Sequence, residues 1–252
     1  MIEVISNIGD AGRQLSQFRR EAKSIGFVPT MGALHDGHLS LIEQARADND
    51  RVVVSIFVNP TQYDDPKDLE RYPRTLASDL DKAESVGADL VIHPAPEDIY
   101  SDNYRFRVSE TVFSRELEGA HRKGHFDGVL TVVLKLLNIA RADRAYFGEK
   151  DWQQLELVRD MAAAFFLPTE IVSCPTIREA DGLAMSSRNM LLTTEERALA
   201  PEFHRILASG ASAEEVVRQL TERGFVVDYV EKRGDRILGA VRLGKVRLID
   251  NV

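Results

Sequence analysis

Short apolar runs alternate along this chain with amphipathic stretches of helical period. Over 10–24, Leu15, Phe18 and Ala22 recur on one helical face. IGFVPT then reads as a short strand ending at Pro29, and 37–48 returns to helical spacing. RVVVSIFVNP is a continuous apolar run, the pattern of a strand covered on both faces. Residues 26–58 therefore form a strand–loop–helix–strand unit, and a crossover of that length implies parallel pairing. The alternation continues through a helix at 75–86, a strand in ADLVIHP, an irregular charged stretch at 101–127 and an apolar helix at 128–141. A strand in RAYFG, a helix at 151–166 and a strand in EIVSC follow. About five parallel strands with helices between them predict a Rossmann-like, doubly wound α/β domain.

Near 176 the pattern changes. Helices are expected at 194–208 and 212–223, then three strands in FVVDYV, RILGAV and KVRLID. The short connections at Arg233–Asp235 and Leu243–Gly244 predict hairpins and antiparallel pairing. The expected division is residues 1–176 as the nucleotide- and substrate-binding domain and 177–252 as a smaller α+β lid domain.

Composition narrows the class. With 252 residues, 44% hydrophobic and 29% charged, the chain has the balance of a soluble globular protein. A net charge of -8 argues against a general nucleic-acid binder. Cys174 is the only cysteine, which excludes an internal disulfide and a cysteine-based zinc site. MIEVISNIGDAGRQL lacks the basic head and apolar centre of a secretory signal. No apolar run approaches the roughly 20 residues that span a bilayer. A cytoplasmic protein without membrane partners is expected.

The candidate chemistry starts at PTMGALHDGH, Pro29–His38, a glycine-rich turn between a strand and a helix with two histidines three apart. It admits three readings. It can be a plain turn with solvated histidines. It can be a metal site, although zinc needs further ligands and the turn offers only Asp36. Or it can be a phosphate site, where glycines let an anion approach the free N–H groups of a helix start and two imidazoles add donors. Neither G-x-x-x-x-G-K-[ST] nor G-x-G-x-x-G after a strand is present, so a nucleotide site here would be of another kind.

His35-Asp36-Gly37-His38 resembles the H-x-G-H signature of the nucleotidyltransferase superfamily. VPTMGALHDGH, VVVSIFVNPTQY, YPRT, GHFDGVLTVV, YFGEKDWQQL, DGLAMSSRN and the late RLIDN together resemble the pantoate–β-alanine ligase (pantothenate synthetase) family. That resemblance implies an AMP-forming ligase of vitamin B5 and coenzyme A biosynthesis. It would join pantoate to β-alanine with ATP and Mg2+, through a pantoyl-adenylate, as a cytoplasmic homodimer.

Carried over residue by residue, the resemblance makes His35, His38, Lys150, Ser186, Ser187 and Arg188 the catalytic set at the phosphates. Pro29, Met31, Gly148, Asp151, Ile177 and Met185 complete the ATP site. Gln62, Gln154, Met31, Asn59 and Arg122 hold pantoate, and Asp79 helps hold magnesium. The residue types suit these roles. Neutral amides bind a hydroxy acid without neutralising the attacking carboxylate. Arginine offers a planar fork to phosphate oxygens, and MSSRN lies where the second domain begins, so domain closure could bring it onto ATP. A nucleotidyltransferase acting on a phosphorylated acceptor is the alternative, as is a nucleotide-binding protein without turnover. A phosphorylated acceptor would call for cations where Gln62 and Gln154 stand.

The sequence departs from the family at Thr61, where methionine is common, at Trp152 in place of a smaller aromatic, and at Lys123 in place of proline. From Pro201 onward it is also shorter than the family leads one to expect.

Overall fold

The computed structural model describes residues 2–64 and 66–252. The chain runs β1 (Glu3–Ile5), α1 (Ile8–Arg20), β2 (Ile25–Thr30), α2 (Asp36–Asp48), β3 (Arg51–Ile56), α3 (Pro66–Arg71), α4 (Leu76–Ser85), β4 (Leu90–Ile92) and α5 (Pro96–Ile99). It continues through α6 (Leu117–His121), α7 (His125–Ala140), β5 (Arg144–Gly148), α8 (Trp152–Ala164), β6 (Glu170–Cys174), α9 (Thr194–Leu199), α10 (Pro201–Leu207) and α11 (Ala213–Glu222). β7 (Val226–Arg233), β8 (Arg236–Leu243) and β9 (Val246–Asn251) complete it. Two compact units emerge. One comprises Met1–Gly148 with Gln153–Cys174, the other Glu149–Trp152 with Pro175–Val252.

The first unit is a six-stranded sheet in the order β1-β4-β3-β2-β5-β6, parallel at every pairing. The apolar run of β3 has its predicted cause. Val53 packs with Phe27, Leu130 and Val158 on one face, while Val52 and Val54 pack with Ile42, Ala45 and Ala83 on the other. Successive side chains point to opposite faces, so a strand covered twice must be apolar throughout. β1 adds a sixth strand to the five expected. Three residues, two of them exposed, carry too little alternation to be read from sequence.

In the second unit β7, β8 and β9 form the expected antiparallel sheet. Two-residue turns join them, and Gly234 (φ +59°) and Gly244 (φ +56°) adopt the left-handed backbone such turns need. Phe203, Ile206 and Leu207 of α10 and Val216 and Leu220 of α11 bury against Val241, Val246 and Leu248. The single helix expected at 194–208 is two, because Pro201 has no N–H and begins a new helix. The second unit also takes in Glu149–Trp152, which a reading along the chain leaves in the first. Hydrogen bonds from β9, described below, draw that turn across.

Among the described residues no helix is long and apolar enough to cross a membrane.

Candidate active site

β2 has β3 on one side and β5 on the other, so the strand order reverses beside it. At such a switch point the crevice outside the carboxyl ends of the strands is the place for a ligand. β2 opens it further. It pairs with β3 through six residues, but with β5 only at Gly26 and Phe27. The two strands part before Pro29, whose nitrogen has no hydrogen to offer. The glycine-rich turn leaves β2 at this opening, and Gly148 ends β5 on its other side. A Cβ on Gly148 would meet nothing within 4 Å.

The turn is held from behind. Gly32 (φ +79°) and Ala33 (φ +52°) are both left-handed. Asp79 of α4, 1% exposed, accepts from Ala33 N (3.0 Å) and Leu34 N (2.8 Å), and Thr75 Oγ1 donates to its carboxylate at 3.2 Å. Lys82 Nζ donates to Leu34 O at 2.7 Å. A Cβ on Gly32 would lie 3.0 Å from Asp79 Oδ2 and 3.1 Å from Ile56 Cγ2, which is why glycine stands there.

This arrangement gives Asp79 a structural task in the turn besides the magnesium role expected of it. Its oxygens are committed to the turn and sealed from the crevice. A magnesium ion that arrives with a triphosphate is held by one or two carboxylates and the phosphates themselves, and keeps several waters. Among the described residues no group of three or more His, Cys, Asp or Glu could hold a metal ion.

His35 is the N-cap of α2 and His38 lies in its first turn. Their rings stand 4.1 Å apart at 44°. His35 N donates to His38 Nδ1 at 3.4 Å. Accepting there places the hydrogen of a neutral His38 on Nε2, as a donor on the far side of the ring.

The second part of the crevice follows β3. Asn59, 1% exposed, donates through Nδ2 to Gln62 Oε1 (2.9 Å) and Gly128 O (3.1 Å). Its Oδ1 accepts from Tyr100 OH (2.6 Å) and Thr61 Oγ1 (3.0 Å). Gln62 is thereby oriented, with its amide nitrogen 3.2 Å from Met31 Sδ, a weak acceptor that a carboxylate or hydroxyl would outcompete. Burial pushes the Tyr100 hydroxyl up to about 12, so it remains a donor at any working pH.

Arg122 Nη1 bonds His125 Nε2 (3.1 Å), and Arg122 Nη2 donates to Gln62 O (3.5 Å). Arginine can only donate, so His125 Nε2 accepts and His125 Nδ1 donates to Gln62 O at 2.8 Å. Arg122 also pairs with Asp64 at 3.6 Å. It braces the backbone of Gln62. Of the two glutamines of α8, Gln154 is half-buried. Gln153 is buried and bonds Glu118 N, Phe113 O and Glu116 O, a structural task.

In the second unit the segment 177–188 folds back on itself. Met185 N donates to Ile177 O (3.0 Å), Glu179 N to Leu183 O (2.8 Å), and Arg178 bridges Ala184. Ile177 and Met185 are thus neighbours. Ser186 caps the short 3-10 turn Ser187–Leu191, its Oγ accepting from Arg188 N at 3.3 Å. Asp250 anchors this fold-back, taking Arg178 at 2.7 and 2.9 Å and His204 Nδ1 at 3.1 Å. Burial pushes the Asp250 carboxyl up, but the hydrogen bonds from His204 and Arg178 outweigh it and leave it below the ordinary range. Lys150 Nζ stands 3.8 Å from Asp151 Oδ2 in the same unit.

Tyr100, His125, Arg178 and Asp250 were not singled out in the sequence as site residues. GHFDG and RLIDN carried His125 and Asp250, but a string match does not say which side chain turns inward. Nothing in the sequence marked Tyr100.

The fold and the switch-point turn define a doubly wound α/β protein with an H-x-G-H turn at the carboxyl edge of its sheet. The chain belongs to the pantoate-beta-alanine ligase family, whose pattern it matches over residues 3–252. A pantothenate synthetase of Bdellovibrio bacteriovorus is 56% identical over 234 residues, 93% of each chain. One of Cereibacter sphaeroides is 47% identical over 277 residues, covering 100% of this chain and 99% of its own. Among solved structures, the pantoate-beta-alanine ligase of Francisella tularensis, complexed with beta-gamma ATP and beta-alanine, superposes with a TM-score of 0.95. It is 41% identical and covers 100% of this chain and 97% of its own.

Proposed function

We propose that this protein condenses pantoate with β-alanine to give pantothenate, cleaving ATP to AMP and pyrophosphate. A pantoate carboxylate oxygen attacks the α-phosphorus and pyrophosphate leaves, giving a pantoyl-adenylate. The β-alanine amine then attacks the acyl carbon, the acyl–oxygen bond breaks, AMP departs and the amine nitrogen gives up its proton. Neither step needs a protein nucleophile. Both need positioned charge and exclusion of water.

In this reading His35 and His38 donate to the phosphates as charge builds on them. By the family resemblance, Pro29, Met31, Gly148, Asp151, Ile177 and Met185 serve ATP. Lys150, Ser186, Ser187 and Arg188 supply the remaining phosphate contacts. Gln62 and Gln154 hold pantoate, with Asn59 and Arg122 fixing Gln62. Magnesium is brought by the triphosphate. The enzyme is a cytoplasmic homodimer, for which sedimentation at twice the monomer mass is the test.

One observation carries the reading. A glycine turn with two histidines and an oriented neutral amide, Gln62, meet at one carboxyl edge, with Gln62 Nε2 and Met31 Sδ 3.2 Å apart. That suits a carboxylate made nucleophilic beside a nucleotide. The test is pyrophosphate exchange into ATP with pantoate and no amine. We expect pantoate-dependent exchange, reduced about 100-fold or more in His38→Ala. Folded, ATP-binding protein without pantoate-dependent exchange would sink the proposal.

A further inference from the structure

We propose that Asn251 is the positioning residue for Lys150, a role that rests on reading Lys150 as a phosphate ligand. Lys150 is the middle residue of the three-residue 3-10 turn Glu149–Asp151. So short a turn does little to fix its own geometry. Asn251, at the end of β9 and 4% exposed, reaches into it. Its Nδ2 donates to Glu149 O at 2.8 Å and to Lys150 O at 3.1 Å, using both amide hydrogens.

The orientation of that amide is determined by its surroundings. Oδ1 accepts from Arg236 Nη1 at 2.7 Å, and Arg236 Nη2 bonds Glu149 Oε2 at 2.8 Å. Flipped, the amide would set its NH2 against a guanidinium and its oxygen against two carbonyls, contacts that donors and acceptors forbid. Asn251 itself cannot drift. Its N–H donates to Asp250 Oδ1 at 2.8 Å, and its carbonyl accepts from Arg178 Nη2 at 3.2 Å. A single side chain thus fixes the peptide planes on both sides of the Lys150 Cα, and with them the direction in which the lysine stem leaves. Through four methylenes a small rotation there becomes a displacement of the ammonium on the scale that costs roughly 100-fold in a positioned reaction.

Asn251→Asp is nearly isosteric. It keeps the acceptor for Arg236 and turns an oxygen onto the two carbonyls. Direct titration of ATP in the absence of pantoate is the first measurement, on wild type, Asn251→Asp, Lys150→Ala and the double variant. The expected result is roughly tenfold weaker ATP binding in Asn251→Asp, an unchanged KM for pantoate, and no further loss when Asn251→Asp is added to Lys150→Ala. A merely structural residue would lose affinity equally in both backgrounds. That outcome, or wild-type ATP affinity in Asn251→Asp, overturns the proposal. If Asn251→Asp does not fold, Arg236→Ala, which frees the amide to rotate, is put through the same cycle with the same two outcomes. ATP affinity insensitive to Lys150→Ala also overturns it. Pantoate-dependent exchange is run alongside. Its absence with the coupling intact would remove the ligase reading and leave the Asn251–Lys150 relationship standing.

Discussion

The carboxylate of Asp79 on α4 holds the backbone of Leu34, in the turn after β2, through a 2.8 Å bond to its N–H. A second bond, to Ala33 N at 3.0 Å, makes the pair a clamp on two successive peptides. In Asp79→Asn one of the two acceptors becomes a donor facing a donor. The expected cost is about 1–3 kcal/mol of stability, with a fall in pantoate-dependent exchange because the turn that positions His35 and His38 loosens. Thermal melts and exchange rates check this. The magnesium concentration for half-maximal rate stays where it is if the clamp is all that Asp79 supplies, and rises if Asp79 also holds magnesium.

Two glycines should behave in opposite ways. A Cβ on Gly128 would lie 2.4 Å from Thr61 O and 2.7 Å from Gln62 Cα, backbone against helix. Gly128→Ala must push α7 away from the Gln62 segment, with an expected loss of about 1–3 kcal/mol and a raised KM for pantoate. A Cβ on Gly148 meets nothing. Gly148→Ala should melt within about 0.5 kcal/mol of wild type and lose affinity only for the nucleotide. Melting curves with separate KM values for pantoate and ATP distinguish the two.

These contrasts mark what the sequence discloses. The parallel sheet was legible because strands such as β3 are apolar on both faces, a pattern with few other causes. The three hairpinned strands were legible from their short connections. The His35–His38 turn stood out because histidines and glycines are costly in an element interior and so point to a purpose. The clamp that Asp79 places on the turn was not legible. That Asp79 faces two backbone N–H groups depends on how α4 lies against the turn, a tertiary fact. The link from Asn251 to Glu149 and Lys150 spans about a hundred positions, beyond any local pattern.

Tyr100 offers a test of the pantoate side. Its hydroxyl donates to Asn59 Oδ1 at 2.6 Å and also meets Thr61 Oγ1 at 3.0 Å. Tyr100→Phe removes a buried hydrogen bond but leaves Asn59 Oδ1 its contact with Thr61 Oγ1. We expect a loss of about 1 kcal/mol and a several-fold rise in the KM for pantoate, as Asn59 no longer fixes Gln62. ATP affinity should not move. Because burial lifts the hydroxyl to about 12, the wild-type pH profile should show no limb from Tyr100 below pH 10.

The last prediction concerns acid. The folded-state pKa of Asp250 lies below its ordinary value, since hydrogen bonds from His204 and Arg178 outweigh the opposing effect of burial. A depressed carboxyl pKa contributes stability that is full above the unfolded value, near 4, and lost as pH falls through the lower folded value. Asp250→Asn forgoes that contribution and leaves Arg178 without its bidentate partner, at an expected cost of roughly 3 kcal/mol at neutral pH. The gap between wild type and variant should therefore narrow as pH falls below about 4. Denaturant melts across that range measure it. A gap that widened as pH falls below about 4 would mean that Asp250 is protonated more readily in the folded protein than in the unfolded chain. The Arg178 and His204 pairings would then not be what holds residues 177–188 in place.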